Sequence, residues 1–268
     1  MSRLFPDRYI VAMGATHVAV DVRSRVSGRH SQEIIKIEVP PFESEGHWRF
    51  ALQALQSFFA NMAPSTRCLD AVFSDQYFQF VLIPWSDQIM RPAERENFAR
   101  IQLEMVYGAA ARDTVKIANS GYGEPALACA IDGKILHELH DFTESNHVRL
   151  DSAVPHFMLV FNRWRHLLIG DCVLLSSEAD HCILLFIKDA LPYALRSLQV
   201  ATHRQEPFSD LVERELLLHD VDDDTRVYCY GVRPGELGHL ESYEVIHLQL
   251  PGADEDVGAT AMIRLFDL

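Results

Sequence analysis

The alternation of apolar and polar positions predicts three strands at the start of the chain. The runs "RYIVAM", "THVAVDVRS" and "EIIKIEV" follow one another, with turns at Gly14-Ala15 and Ser27-Gly28 between them. Pro40-Pro41 ends the third run, because proline cannot donate to the hydrogen-bond ladder of a sheet. The chain therefore opens with three antiparallel strands.

A helix follows in "HWRFALQALQSFFANM", because its apolar residues return at helical spacing. They are Trp48, Ala51, Leu52, Leu55, Phe58, Phe59 and Met62. The next run, "VFSDQYFQFVLIPW", is rich in β-branched and aromatic residues and predicts a strand of about eight residues that Pro84 ends. It is too short to cross a bilayer.

A second helix is predicted from Pro92, a residue suited to the first helical turn. Its apolar residues Phe98, Ile101, Met105 and Ala109 share one face. A hairpin of "TVKIAN" and "ALACAI" comes next, followed by the helix "DGKILHELHDFTES", which Asp132 caps. The strand "VRLDSAV" and the helix "PHFMLVFNRWR" end this half of the chain.

The same order of elements then begins again. Three strands, "DCVLLSS", "HCILLFI" and "YALRSLQV", precede the helix "FSDLVERELLLHD" and the strand "TRVYCYGV". Both halves thus have the order strand, strand, strand, helix, strand, and the first has an insert. Such an order predicts mixed sheets flanked by helices. The last thirty residues predict loops around the strand "YEVIHLQL" and a short terminal strand "AMIRLF".

Composition restricts the class of protein. With 48% apolar and 23% charged residues, the chain is typical of a globular protein. A formal net charge of −14 argues against nucleic acid or an anionic membrane as the main partner, since both are negative. A docking partner is expected to be basic.

Cysteine usage and hydropathy indicate a cytoplasmic protein. Cys68, Cys129, Cys172, Cys182 and Cys229 form no CxxC pair and suit small core residues in a reducing compartment. No targeting segment is visible at the N-terminus, and no apolar run reaches the ~20 residues of a membrane helix. We therefore expect the chain to reach a membrane only through a partner.

The duplicated order, with "VFSDQYFQFVLIPW", "ACAID" and "SAVPHFMLVFNRW" in sequence, resembles the family of PilM and the GspL cytoplasmic domain. The resemblance implies an α/β, actin-like fold of two RNase H-like subdomains, residues 1–165 and 166–268, with a small α+β insert at about 67–131. It also implies a cytoplasmic scaffold of type IV pilus or type II secretion assembly. The expected partners are the cytoplasmic tail of a single-pass inner-membrane protein and an assembly ATPase.

Members of this family that bind ATP use glycine turns with neighbouring acids and hydroxyls. In the first such turn this chain has Gly14 and Thr16, but Met13 stands where an acid is needed. The second turn, Glu178-Ala179-Asp180, has no glycine. Of the two glycines expected on the adenine side of the site, only Gly231 is present. The pattern favours a lost nucleotide site and no cofactor, although a Gly14–Thr16 phosphate contact with Mg-ATP remains the alternative to a simple hairpin turn.

Other clusters each have two interpretations. "HELH" puts His137 and His140 one turn apart, which suits either a metal site or a solvated helix face. The segment from Asp171 to Cys182 suits either metal ligation or core packing. The acids from Asp220 to Asp224, with those at 254–256, suit either docking of a basic tail or a solvated loop. In "FNRWRH", Trp164 suits either an interface or the core.

Three functions follow from these observations. The first is a non-catalytic scaffold that docks an inner-membrane partner. The second is an ATP-binding member of the same fold, with Gly14, Thr16 and Gly231 as its contacts. The third is a small-molecule enzyme that uses the cleft between the lobes, although no nucleophile, zinc or phosphate-loop motif is present.

Overall fold

A computed structural model describes most of the chain in two compact units. The described residues are 7–23, 34–39, 47–60, 67–89, 91–178, 181–200, 207–233, 235–238, 240, 242–250 and 259–267. The first unit takes its described residues from Met1–Tyr77, Asp132–Leu159 and Gly252–Leu268. The second takes them from Phe78–Ile131 and Val160–Pro251.

Strands and helices follow in an order close to the predicted one. The strands are β1 Asp7–Met13, β2 His17–Arg23, β3 Ile35–Glu38, β4 Arg67–Phe73, β5 Phe78–Ile83, β6 Thr114–Ile117, β7 Ala126–Ile131, β8 Val148–Pro155, β9 Cys172–Glu178, β10 His181–Lys188, β11 Leu191–Gln199, β12 Arg226–Tyr230 and β13 Glu244–His247. The helices are α1 His47–Ala60, α2 Pro92–Tyr107, α3 Gly133–Ser145, α4 His156–Trp164, α5 Phe208–Leu218 and α6 Ala259–Arg264.

Two five-stranded sheets have the same topology. The sheet of the first unit has the order β3-β2-β1-β4-β8, and that of the second has β11-β10-β9-β12-β13. In each, the first three strands of the repeat pair antiparallel. The fourth strand then pairs parallel to the central strand, and the fifth pairs parallel to the fourth. This confirms the predicted duplication. It also puts the carboxyl ends of three parallel strands at one edge of each sheet.

Both faces of the first sheet are covered by helices. Successive residues of β1 point to opposite faces, so neighbouring side chains pack against different helices. Tyr9 packs against Phe59 of α1, with ring centroids 5.1 Å apart, and Phe59 packs against Phe142 of α3 at 5.6 Å. On the other face, Ile10 and neighbouring residues pack with Ala259, Met262 and Ile263 of α6. The terminal run predicted as the strand "AMIRLF" is thus a helix that completes this core.

The segment between β4 and α3 forms a small α+β layer. Its sheet has the order β5-β7-β6 and packs on α2 through Ala99, Leu103 and other apolar residues. The predicted single strand "VFSDQYFQFVLIPW" is interrupted, since Asp75–Tyr77 form a 3₁₀ turn between β4 and β5. Because β4 belongs to the main sheet, the inserted layer begins at Phe78, where the prediction put it at about residue 67.

Packing groups the chain differently from the sequence-based ranges 1–165 and 166–268. The inserted strands and α2 belong with the second sheet, and α6 returns to the first. The orientation of α2 also differs from the prediction. Ile101 and Met105 of the predicted apolar face are 52% and 73% exposed, whereas Ala99 and Leu103 are fully buried.

Candidate functional site

The turn between β1 and β2 contains the predicted phosphate-binding residues Gly14 and Thr16. The Gly14 N–H donates to the His17 carbonyl oxygen (3.1 Å), and the Thr16 carbonyl oxygen accepts from the Val39 N–H (2.9 Å). The Thr16 hydroxyl is exposed and lies 3.1 Å from His17 Nδ1. The turn thus already satisfies the Gly14 donor that a phosphate would need.

The space next to Gly14 is filled by the same unit. A Cβ placed on Gly14 would lie 3.1 Å from the Ala259 Cβ and 3.4 Å from the Ala259 nitrogen. Ala259 is fully buried and begins α6. The close approach of α6 is therefore sufficient to explain a glycine at this position.

His17, which follows this turn, does not supply a positive charge for a phosphate. The ring is half-buried, and its Nε2 has no hydrogen-bond partner among the described residues. Burial, and to a smaller extent the charge of Lys36, lowers the pKa of His17, while Glu38 opposes this shift. A neutral imidazole at neutral pH offers little attraction to a triphosphate.

A buried acid and histidine lie at the neighbouring strand ends, and sequence reasoning missed this pair. Asp75 follows β4, and its Oδ1 accepts from the Phe157 N–H at 2.7 Å. Its Oδ2 lies 3.1 Å from His156 Nδ1, and both side chains are 3% exposed. The available signal was an aspartate just after a buried strand, at the edge where parallel strands end.

Asp75 is positioned beside the β1–β2 turn by the backbone. The Ser74 N–H donates to the Met13 carbonyl oxygen at 2.9 Å, which joins the ends of β4 and β1. The Asp75 carboxylate then lies at the N-terminus of α4, where the helix dipole favours an anion. An internal carboxylate therefore occupies a position that could otherwise attract a phosphate.

Gly231 lies in the second unit, just after β12. Its φ is +74°, and an added Cβ would lie 2.0 Å from the carbonyl oxygen of Ser177 in β9. The backbone conformation and this close approach both require glycine. Of the three predicted contacts, the structure brings Gly14 and Thr16 together in one unit and puts Gly231 in the other. Ala179 and Asp180 of the second predicted turn lie outside the described residues.

The histidine and cysteine clusters fit their structural interpretations. On α3, His137 lies 3.6 Å from Asp141 and His140 lies 3.2 Å from Glu144, and all four side chains are exposed. Burial raises the pKa of Cys172 to about 11 and that of Cys182 to about 12, so both are thiols at neutral pH. Trp164 is buried, with its ring 4.9 Å from that of Tyr230.

An acidic pocket of about 340 Å³ lies on the second unit, beside the loop after α5. Asp171, Asp220 and Asp222 contribute carboxylates, Tyr193 and His219 contribute rings, and Lys188 also lines it. The His219 ring stacks on Phe186 at 4.2 Å, and the Tyr193 hydroxyl donates to the His219 carbonyl oxygen at 3.2 Å. Burial lowers the pKa of His219, as does Arg196, so the ring adds no charge at neutral pH.

No protein-family model matches the chain, and no curated protein matches it in sequence. Solved structures do match. A Bacteroides thetaiotaomicron VPI-5482 protein described as having an actin-like ATPase fold and unknown function aligns with a TM-score of 0.61 at 8% identity, over 90% of each chain. The fold is actin-like.

Two further structures share this actin-like fold. A structure of a PilM–PilN type IV pilus biogenesis complex matches with a TM-score of 0.61 at 10% identity, over 89% of this chain and 87% of that one. The cytoplasmic domain of EpsL, an inner-membrane component of the type II secretion system of Vibrio cholerae, matches at 0.51 and 11% identity, over 97% and 93%. The predicted actin-like α/β fold is confirmed. Across the described ranges, no helix combines the length and apolar character that a bilayer crossing requires.

Proposed function

We propose that this chain is a non-catalytic scaffold of a type IV pilus or type II secretion-like assembly platform. The observation that carries the proposal is the shared fold with the PilM–PilN complex, which extends over 89% of the chain at a TM-score of 0.61. The similarity to the EpsL cytoplasmic domain supports the same setting. The chain would act in the cytoplasm and be held at the inner membrane by its partner.

The β1–β2 turn supports a role without nucleotide. Its glycine nitrogen is engaged within the turn, α6 fills the space beside it, and Asp75 supplies an anion at the N-terminus of α4. An anionic triphosphate is disfavoured next to a buried carboxylate, because the two like charges repel each other. We therefore expect neither a cofactor nor hydrolysis.

The acidic pocket supports docking of a basic segment. Cytoplasmic segments next to a single membrane helix carry an excess of Lys and Arg. A chain with a formal net charge of −14 attracts such a segment, and Asp171, Asp220 and Asp222 concentrate that charge beside exposed Tyr193. We assign the pocket to basic side chains of the partner's tail, since an aromatic ring next to carboxylates suits a cation. An assembly ATPase is the expected second partner.

The first experiment measures binding of the tail. A peptide comprising the cytoplasmic tail of a single-pass membrane protein encoded beside this chain is titrated into the intact protein, at low and high salt. Asp220→Asn with Asp222→Asn should weaken binding about tenfold. The control, Asp141→Asn with Glu144→Gln on exposed α3, removes the same charge and should change binding by less than about twofold.

The second experiment tests the nucleotide alternative. Calorimetric titration with ATP and magnesium should give no binding up to about 1 mM nucleotide, since the turn offers too few donors. Micromolar binding that Thr16→Val abolishes would contradict the scaffold-only function and favour an ATP-binding protein. Turnover of ATP or of another small molecule would favour an enzyme.

A further inference from the structure

Helix α2 presents an apolar stripe to solvent. Ile101 and Met105, which lie one turn apart, are 52% and 73% exposed, although α2 also buries Ala99 and Leu103 against its own sheet. The helix is therefore apolar on two opposite sides. Exposed apolar side chains that are contiguous on one helix face are typical of a docking surface.

The stripe has the spacing of a helix-pairing seam. Phe98, Ile101 and Met105 are separated by three and four residues, the alternation that packs one helix against another at a small crossing angle. Phe98 is half-buried, so its ring is partly held in place by the core beneath it. At the other end lies Gly108, where an added Cβ would meet no atom within 4 Å.

We propose that this stripe pairs with the same stripe of a second copy of the chain, with the two α2 helices antiparallel. A two-fold axis near residue 103 puts Ile101 of each copy against Met105 of the other. The same axis puts the Phe98 ring of each copy in the open space at Gly108 of the other. Large and small residues are thus complementary only when the two helices run in opposite directions.

Charges beside the stripe support a self-complementary contact. Arg100 and Glu104 lie on the same flank of α2, and the antiparallel arrangement puts Arg100 of each copy beside Glu104 of the other. Arg100 already pairs with Glu96 at 2.9 Å, whereas Glu104 makes no ion pair within the described part of the chain. The whole chain has a formal net charge of −14. Helix α2, however, contains two arginines and three glutamates, so the electrostatic repulsion between the α2 helices of two copies is weak.

The first test measures association of the intact chain by sedimentation from about 1 µM to about 1 mM. A contact of this small area predicts a weak dimer whose fraction rises with concentration. Met105→Glu buries a charge twice per dimer and should raise the dissociation constant at least about tenfold. Leu218→Glu is the matched control, since Leu218 is 67% exposed on α5, and should leave the constant unchanged. Circular dichroism checks that both variants fold.

The second test determines direction and register. Mixing Ile101→Cys chains with Met105→Cys chains should give more cross-linked dimer than either variant alone, whereas parallel helices would give the reverse. Glu104→Arg should weaken the dimer, and adding Arg100→Glu should restore it. A chain that stays monomeric at about 1 mM, a dimer that tolerates Met105→Glu, or like-with-like cross-linking would each overturn the proposal. The docking of a membrane partner would be unaffected by any of these outcomes.

Discussion

Asp75 gives the sharpest prediction about stability. Replacing it by alanine leaves two buried groups of the first unit without their carboxylate, the Phe157 N–H at 2.7 Å and the His156 ring at 3.1 Å. A buried hydrogen bond to a charged group contributes about 1.5–3 kcal/mol, and Asp75 makes two such contacts, so we expect Asp75→Ala to lower the free energy of unfolding by about 3–4 kcal/mol. The lost helix-terminal charge is included in that range.

Asp132→Ala is the matched control in the same unit. Asp132 caps α3, and its side chain accepts from the Lys134 N–H at 2.9 Å. Because this cap is half-buried and water can replace the lost oxygen, we expect a loss of about 1 kcal/mol. Comparing the two variants distinguishes the effect of a buried carboxylate that contacts two groups from the effect of an ordinary helix cap.

The assay is urea unfolding followed by tryptophan fluorescence. Trp48 lies in the first unit, so a Trp85→Phe, Trp164→Phe background makes the signal specific for it. With a urea dependence of about 2 kcal/mol per molar, the midpoint should fall by about 1.5–2 M for Asp75→Ala and about 0.5 M for Asp132→Ala. Equal shifts would refute the view that Asp75 is an essential buried partner.

Three further predictions concern single residues. Gly231→Ala should cost at least about 3 kcal/mol, whereas Gly123→Ala, with a similar φ of +82° but open space around its Cβ, should cost about 1 kcal/mol in the same unfolding assay. Because the folded state lowers the pKa of His17, the unfolded chain binds the proton first, so stability should be constant above about pH 6.5 and fall below it. His17→Gln should make that fall shallower, and an unchanged pH profile would contradict the assignment. At about pH 8, iodoacetamide should modify half-buried Cys129 before Cys182, whose pKa burial raises to about 12; peptide mass spectrometry reads the order, and equal rates would contradict it.

The repeat order of elements could be predicted because each strand and helix has a local period. Most strands of the two five-stranded sheets, and helices α1, α3 and α5, follow from that period, whereas β4 and β5 were predicted as one strand. The C-terminal run "AMIRLF" was predicted wrongly because a run of six residues with five apolar ones fits a strand or a helix equally well, and only packing on β1 and β2 decides. A run this short has too few residues for its hydrophobic period to distinguish a helix from a strand.

Helix α2 and Asp75 show two other limits. The sequence of α2 contains two apolar stripes, one through Ala99 and Leu103 and one through Ile101 and Met105, and composition favours the larger residues as the buried set. The structure buries the smaller set, which packs with apolar residues of β5, β6 and β7. Asp75 and His156 are 81 residues apart, and no local pattern can pair residues at that separation.

Helix α6 has a consequence for how the protein is made. Its residues Ala259, Met262 and Ile263 fill the core around Ile10, although they are translated about 250 residues later. During synthesis the first unit therefore leaves the ribosome with part of its interior missing. It must remain open, or be held by a chaperone, until translation reaches this helix.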